Sequence, residues 1–415
     1  MRDASLTARL LAAAIVCCVL DGAVRKWVLS SAPPVIQAIP YFAKDVFILA
    51  AAVVGGRVGA ASARLRGFGT LSTMFSAIVL LGAAVNFADL RLVGAIVSFR
   101  TMVLYPLLAI PIAKGLRSPA SILLIVRTIS VLVVLNASLG AVQFYLPADH
   151  ALNSQVQEDL VSHTTDLSDV ARTRANGTFS FISGMGDSAI VGAWAGCILV
   201  LLNYQRLGFT TLASGFACAL ASMSRYGFLF AAVVTVGMLF SARRFGLAVG
   251  LVVGLGLLAT LSGNDLLTGL FVRHASSDRF DDRFSAQVQI FLAINEVPFG
   301  EGFGSTQAAE RARAGQLSTA VYEAELARVV VEVGVIGLIG VVAARVMWLH
   351  LIWSGTRNSG AKSRFGATVC QAGFWAALAF FLHGPAFNHI STTFLCAISA
   401  ASIGAMLAPS GREIY

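Results

Sequence analysis

The feature that most constrains this chain is a series of apolar runs, each long enough to cross a bilayer. About 20 mostly apolar residues span the hydrocarbon core as a helix. We count twelve candidate spans, at 5–22, 41–60, 69–87, 92–113, 120–146, 183–203, 208–223, 225–241, 244–263, 326–353, 366–384 and 389–408. Backbone polar groups inside a membrane must bond within the chain, so such runs predict helices. The sequence predicts an all-α polytopic membrane protein in which residues 1–415 form a single integral membrane domain.

Composition agrees with this prediction and argues against nucleic acid as a partner. Hydrophobic residues make up 57% of the chain and charged residues only 12%, with a mean hydropathy of +0.79. A soluble domain carries roughly twice that charged fraction. The net charge of +9 fits cytoplasmic loops and lipid headgroups, and no soluble basic domain is present to hold nucleic acid. The six cysteines lie in apolar runs without metal-ligand spacing, so no disulfide framework, metal site or cofactor is predicted.

Basic residues indicate the orientation. Asp21 and Arg25 follow the first apolar run where a cleavage site would need small residues, so this run is predicted to be an uncleaved first span. With the N-terminus inside, every cytoplasmic link is short and basic, and the C-terminus also returns inside. The basic residues of these links are Arg57, Arg64, Arg66, Lys114, Arg117, Arg206, Arg243, Arg244, Arg357, Lys362 and Arg364.

Two outer connections are long, at 147–182 and 264–325, and they carry several arginines. Long loops in a chain of otherwise short turns are usually functional. Arginine on the outer face departs from the positive-inside rule, so it needs a reason of its own. An anionic, lipid-linked substrate supplies one, because a guanidinium binds phosphate oxygens bidentately and keeps its proton.

Three groups of arginines are candidates for contacting such an anion. Arg172 and Arg174 precede an Asn176-Gly177 turn signal, where snorkelling to headgroups is the alternative. Arg225 separates two apolar runs with almost no loop, so it is expected to face a cavity. Arg279 and Arg283 are spaced i, i+4 and would form either a guanidinium clamp or a solvated helix face paired with neighbouring aspartates.

Carboxylates gather before the tenth predicted span. Glu323 and Glu325 are followed by Arg328 and Glu332, and the last three would share one helical face, as a catalytic group or as an internal ion pair. The upstream run Gly300-Glu301-Gly302-Phe303-Gly304 lacks the Lys-Ser/Thr of a phosphate loop. It predicts a tight turn or a close backbone approach to a sugar instead.

Charged residues also occur near the outer ends of the first two spans and within the fourth. Asp21, Arg25 and Lys26, with Lys44 and Asp45, are interpreted as an interfacial charge network. Arg100 falls inside an apolar run, so it needs a partner or a cavity.

Taken in order, several motifs resemble the O-antigen ligase and O-antigen or exopolysaccharide polymerase superfamily of bacterial inner membranes. They are Asp21-Gly22-Ala23-Val24-Arg25-Lys26-Trp27, Arg174-Ala175-Asn176-Gly177-Thr178-Phe179, Ser224-Arg225-Tyr226-Gly227-Phe228, Arg283, Pro298-Phe299-Gly300-Glu301-Gly302-Phe303-Gly304 and Glu332-Val333-Gly334-Val335-Ile336-Gly337-Leu338.

The resemblance implies a GT-C-like fold of about twelve transmembrane helices, with short helices in two long periplasmic loops. It implies a metal-independent glycosyltransferase of the inner membrane, with cytoplasmic termini and a periplasmic active site. The donor would be an undecaprenyl-pyrophosphate-linked glycan, bound by Arg174, Arg225 and Arg283, with Arg172, Arg279 and Arg328 as further candidates. Arg283 would also take part in catalysis. Many ligase relatives have a His-Asn pair where this chain reads Glu323-Ala324, so Glu323 or Glu325 would orient the acceptor.

Three functions stay open at this point. The first is a polymerase that transfers the glycan to a hydroxyl of a lipid-linked repeat unit, with membrane lipid, a chain-length regulator or other polysaccharide-export proteins as partners. The second is a ligase that uses another acceptor. The third is a polysaccharide or lipid transporter (flippase), which would concentrate its charges at the bilayer midplane.

Overall fold

The computed structural model describes residues 4–58, 63–84, 92–147, 149–153, 173–179, 183–244, 290–291, 293–303, 325–360, 364–383 and 389–408. All regular elements within these ranges are helical. Twelve α-helices are numbered here in chain order: α1 Leu6–Ala23, α2 Pro34–Gly56, α3 Ala63–Ala84, α4 Leu92–Phe99, α5 Tyr105–Gly115, α6 Pro119–Tyr145, α7 Ser183–Leu201, α8 Gln205–Ala221, α9 Arg225–Ser241, α10 Glu325–Gly360, α11 Arg364–His383 and α12 His389–Leu407.

Among the described residues, eight helical segments are long and apolar enough to cross a membrane: Leu6–Val28, Ile36–Gly56, Ala95–Gly115, Pro119–Tyr145, Ser183–Leu201, Leu326–Thr356, Arg364–Leu382 and Ile390–Leu407. Two shorter apolar helices are Ser72–Leu81 and Arg225–Ser241. The all-α polytopic prediction is therefore confirmed for the described residues. Helices occupy eleven of the twelve predicted segments; the remaining one, 244–263, lies almost wholly outside the described residues.

Helix α7 lies at the centre of the bundle. Its span is 94% buried, and it packs against α6, α8, α9 and α11. Small residues make this possible, because they let helix backbones approach closely in a membrane. A Cβ added at Gly192 would lie 3.0 Å from the Gly215 Cα, and one at Gly196 would lie 2.9 Å from the Gly208 carbonyl oxygen. Larger side chains at these positions would push α8 away from α7.

Three interruptions occur within the apolar helices. Val24–Val28 continues α1 as a π-helical turn, and Arg100–Leu104 joins α4 to α5 in the same way. In α10, Gly334 adopts φ 69° and ψ −177°, which breaks the helix into two parts. Such π-turns and breaks are common at functional sites, because they redirect side chains and free backbone groups. All three interruptions carry or adjoin charged residues noted in the sequence.

Candidate functional site

Two of the predicted arginines meet at the turn between α8 and α9. The segment 173–179 lies against this turn, and the Ala175 amide donates to the Ala221 carbonyl oxygen at 2.9 Å. Arg174 Nε donates to the carbonyl oxygen of Ser222 at 3.1 Å. Arg225 is the first residue of α9 and thus lies three positions after Ser222. Residues 51 positions apart in sequence are brought to one turn, and both side chains are half-buried.

The start of α9 adds its own positive potential to this turn. Ser224 caps the helix, since its Oγ accepts a hydrogen bond from the Gly227 amide at 3.1 Å. A capped helix N-terminus carries about half a positive charge and attracts anions. Gly227 packs so closely on Gly186 that an added Cβ would lie 2.7 Å from the Gly186 Cα. The N-termini of α7 and α9 are therefore adjacent, and Arg174 and Arg225 lie at the same turn, which is an arrangement suited to an anion.

Three side chains, here called the polar cradle, form hydrogen bonds with the segment that carries Arg174: Lys26, Asn136 and Gln143. Lys26 Nζ donates to Asn176 Oδ1 and to the Gly177 carbonyl oxygen, both at 2.9 Å. Gln143 Oε1 accepts from the Gly177 amide at 2.7 Å. Gly177 has φ +59°, so the predicted Asn176-Gly177 turn is confirmed.

Asn136, the third residue of the polar cradle, contacts Thr178. Asn136 Oδ1 accepts from the Thr178 amide at 2.9 Å and also lies 2.9 Å from the Thr178 hydroxyl, whose single proton it shares with a second acceptor. The same hydroxyl is 2.6 Å from the carbonyl oxygen of Val19 on α1. Buried polar groups are costly unless they are bonded. The satisfied network therefore fixes the backbone that leads to Arg174.

A second group of buried charges, here called the charge cluster, lies between the C-terminal end of α1, α2 and the Arg100 π-turn. It contains Asp21, Arg25, Tyr41, Lys44, Asp45, Arg100 and Tyr105. Arg100 Nη1 pairs with Asp45 Oδ2 at 2.8 Å, and its Nη2 donates to the Tyr41 hydroxyl at 2.6 Å. The Tyr105 hydroxyl also bonds Asp45, and the fully buried Lys44 bonds the carbonyl of Tyr41. The partner expected for Arg100 is confirmed as Asp45.

The break in α10 is occupied by the glycine-rich run. The Val335 amide donates to the Pro298 carbonyl oxygen at 2.9 Å, and the Glu301 amide donates to the Val331 carbonyl oxygen at 2.5 Å. A Cβ at Gly334 would lie 2.7 Å from the Phe299 carbonyl carbon, and Gly300 also has a positive φ of 79°. The predicted tight turn is found here, in close contact with the backbone of α10, and the approach of this run to a sugar stays a prediction.

The other predicted site residues are placed as follows. Arg328 is half-buried on the first part of α10, and Glu325 is the first residue of that helix. Glu332 is fully buried beside the Gly334 break. Residues Arg172, Arg279, Arg283 and Glu323 lie outside the described residues. Within the described ranges, no group of three or more His, Cys, Asp or Glu side chains is arranged to hold a metal.

The amides of the cradle were not singled out by sequence reasoning. Asn136 and Gln143 are seven residues apart in α6, so they share one face of a helix that is otherwise apolar. Polar side chains repeated at helical spacing within a span face the bundle interior and are usually bonded there. That spacing was the available signal, but it does not identify a loop 33 residues away as the partner.

Comparison with known proteins adds no relative. No protein-family model matches the chain, and a search of curated proteins gives no match.

Proposed function

We propose that this protein is a glycosyltransferase of the bacterial inner membrane that transfers a glycan from an undecaprenyl-pyrophosphate donor at the periplasmic face. The observation that supports it is the meeting of Arg174 and Arg225 at the capped start of α9. Two guanidinium groups and a helix N-terminus together suit a diphosphate, which presents several oxygens and more than one negative charge. The proposal includes a GT-C-like fold of about twelve spans with cytoplasmic termini.

The chemistry asks little of the protein beyond electrostatics. A diphosphate is a good leaving group, so no strong general acid is needed when the bond from the sugar to its oxygen breaks. Negative charge grows on the departing diphosphate, and positioned arginines stabilise it; removing one such donor typically costs about 100-fold or more in rate. Glu323 or Glu325 would accept the proton of the acceptor hydroxyl as the new glycosidic bond forms.

We favour a polymerase, in which the acceptor is a second lipid-linked repeat unit; a ligase with another acceptor is the alternative within the same chemistry. The two share the donor site and differ only in the acceptor. Product analysis separates them, since chain extension marks a polymerase and transfer to a different acceptor marks a ligase.

One observation favours a different class, a transporter for a lipid or polysaccharide. Asp45 is the tenth residue of the span Ile36–Gly56, about 14 Å along the helix from Ile36 at 1.5 Å per residue. The Arg100–Asp45 pair therefore lies within the span rather than in a loop. Charges at that depth are frequent on substrate and ion pathways.

The test uses purified protein in lipid nanodiscs with an undecaprenyl-pyrophosphate oligosaccharide. Arg174→Ala and Arg225→Ala should each lower the transfer rate about 100-fold or more. Lysine should restore little, because it cannot bind two oxygens in one plane. Arg206→Ala is the matched control, since Arg206 is exposed near the start of α8, at the end opposite to the turn that joins α8 to α9.

Two results would refute the proposal. Near-normal transfer by both alanine variants would show that Arg174 and Arg225 do not bind the donor. Translocation of a chemically unchanged lipid-linked glycan into the opposite leaflet of a liposome, with no new glycosidic bond, would establish the transporter instead.

A further inference from the structure

Lys26 occupies an unusual position for a lysine in an apolar span. It lies in the π-helical turn Val24–Val28, and only 3% of its surface is exposed. Its Nζ bonds two oxygens of the opposite segment, Asn176 Oδ1 and the Gly177 carbonyl, and it lies 4.9 Å from the Trp27 ring centroid. The ammonium group therefore joins the first span to the segment that carries Arg174.

Both oxygens that Lys26 contacts belong to neutral groups. Within the described part of the chain, Lys26 forms no ion pair with a carboxylate, whereas Arg25 and Arg100 do. Burying a cation without a carboxylate partner is costly, so the position needs a compensating benefit. A Leu or Met of similar length would fill the same space without that cost, but it could not bond the turn.

The turn depends strongly on this contact. If Lys26 were apolar, the one other donor to Asn176 Oδ1 and the Gly177 carbonyl among the described residues would be Gln143 Nε2, at 3.2 and 3.3 Å. That nitrogen is already bonded to the Leu152 carbonyl oxygen at 2.6 Å. Each of these two oxygens would then lose its shorter described bond, while Arg174 lies only two residues before the turn.

We propose that Lys26 is a positioning residue for the arginine site. It fixes the Asn176-Gly177 turn, so that the Arg174 guanidinium is held at the start of α9 before the substrate arrives. This inference rests on the proposed function for its catalytic consequence, whereas the ordering of the segment can be measured without any substrate.

The structural arm measures hydrogen–deuterium exchange in the peptide covering residues 173–179. Its reporters are the amides of Gly177 and Thr178, which donate to Gln143 and Asn136. In Lys26→Met we expect exchange to rise at least about tenfold there, because the turn loses both Lys26 hydrogen bonds. A tenfold rise corresponds to about 1.4 kcal/mol of lost local stability. Exchange in α7 should stay unchanged. Lys114→Met changes a half-buried lysine in the last turn of α5; it is the control and should leave both regions as in the wild type.

The catalytic arm separates kcat from KM in the nanodisc assay. Misplacing a catalytic group by about 1 Å can cost about 100-fold. We expect Lys26→Met to lower kcat by roughly that factor. KM should change far less, since Arg225 and the N-terminus of α9 still bind the diphosphate. Lys26→Arg keeps the charge and the donors and should recover part of kcat.

A charge exchange at the partner gives an independent check. Asn176→Asp keeps the accepting oxygen and turns the contact into an ion pair, so alone it should preserve the wild-type exchange pattern. Combined with Lys26→Met, it leaves a buried carboxylate without its cation, and exchange should exceed that of Lys26→Met. If Lys26→Met does not fold, Asn176→Leu removes the same contact from the other side and should raise exchange at 173–179.

The two arms fail in different ways. Wild-type exchange in Lys26→Met or Asn176→Leu would overturn the positioning role, whatever the activity. Raised exchange with wild-type kcat would overturn its catalytic consequence. A wild-type protein that transfers no glycan would instead refute the proposed function, and the exchange data would still stand.

Discussion

Replacing Arg100 by methionine is the sharpest test of the buried charges, and it needs no substrate. Arg100 has two described side-chain hydrogen bonds, to Asp45 at 2.8 Å and to the Tyr41 hydroxyl at 2.6 Å. The exposed fractions of the Arg100 and Asp45 side chains are 3% and 14%. Methionine keeps most of the aliphatic stem and removes the charge. Asp45 then keeps the Tyr105 hydroxyl but loses its ion pair.

The size of the effect follows from this geometry. Removing one partner of a buried ion pair costs about 3–5 kcal/mol, because the other charge stays buried. Asp45 is slightly exposed, so we expect the lower end, about 3 kcal/mol in the free energy of unfolding. That value corresponds to a change of about 150-fold in the folding equilibrium, at 1.36 kcal/mol for each factor of ten.

The assay is reversible unfolding in mixed micelles, followed for the single variants and for the double variant. Asp45→Asn with Arg100→Met removes both charges and should be more stable than the sum of the single losses predicts, by at least about 1 kcal/mol. Arg127→Met is the matched control: Arg127 also lies in a span, but its described contact is stacking over Tyr204 at 5.2 Å. It should cost less than about 1 kcal/mol. A loss below about 1 kcal/mol for Arg100→Met, or strict additivity in the double variant, would refute the reasoning.

Two further predictions concern the break in α10 and the topology. Gly334→Ala should lower the free energy of unfolding by about 1–3 kcal/mol, because φ is positive and the new Cβ would lie 2.7 Å from the Phe299 carbonyl carbon. Gly69→Ala, where an added Cβ meets no atom within 4 Å, is the control and should be neutral; equal losses in both variants would contradict the strained turn. In a cysteine-free background, a cysteine at exposed Arg206 should react with a membrane-impermeant maleimide only from the cytoplasmic side, and one at exposed His150 only from the outer side. Labelling of both cysteines from the same side would contradict the predicted topology.

Local sequence pattern was sufficient for the helices. The apolar runs predicted nearly all the described helices, including the separation of α8 and α9 near Ser222–Tyr226. This works because a bilayer leaves an apolar segment few choices other than a helix. The same pattern could not reveal the π-turns at Val24–Val28 and Arg100–Leu104, since they depend on what the neighbouring helices offer to the charged side chains.

For the candidate site, the sequence by itself determined which residue types were available, and the tertiary structure decided which of them meet. Arg174 and Arg225 could be selected singly, because an arginine near an apolar run needs a reason. Their meeting at the start of α9 depends on the backbone bond from Ala175 to Ala221. The contact of Lys26 with the Asn176-Gly177 turn was likewise hidden, since its partners lie about 150 positions away. Hydrophobic periodicity acts over a few turns of helix, whereas a buried polar contact is fixed by packing between distant helices, and only the folded chain specifies that packing.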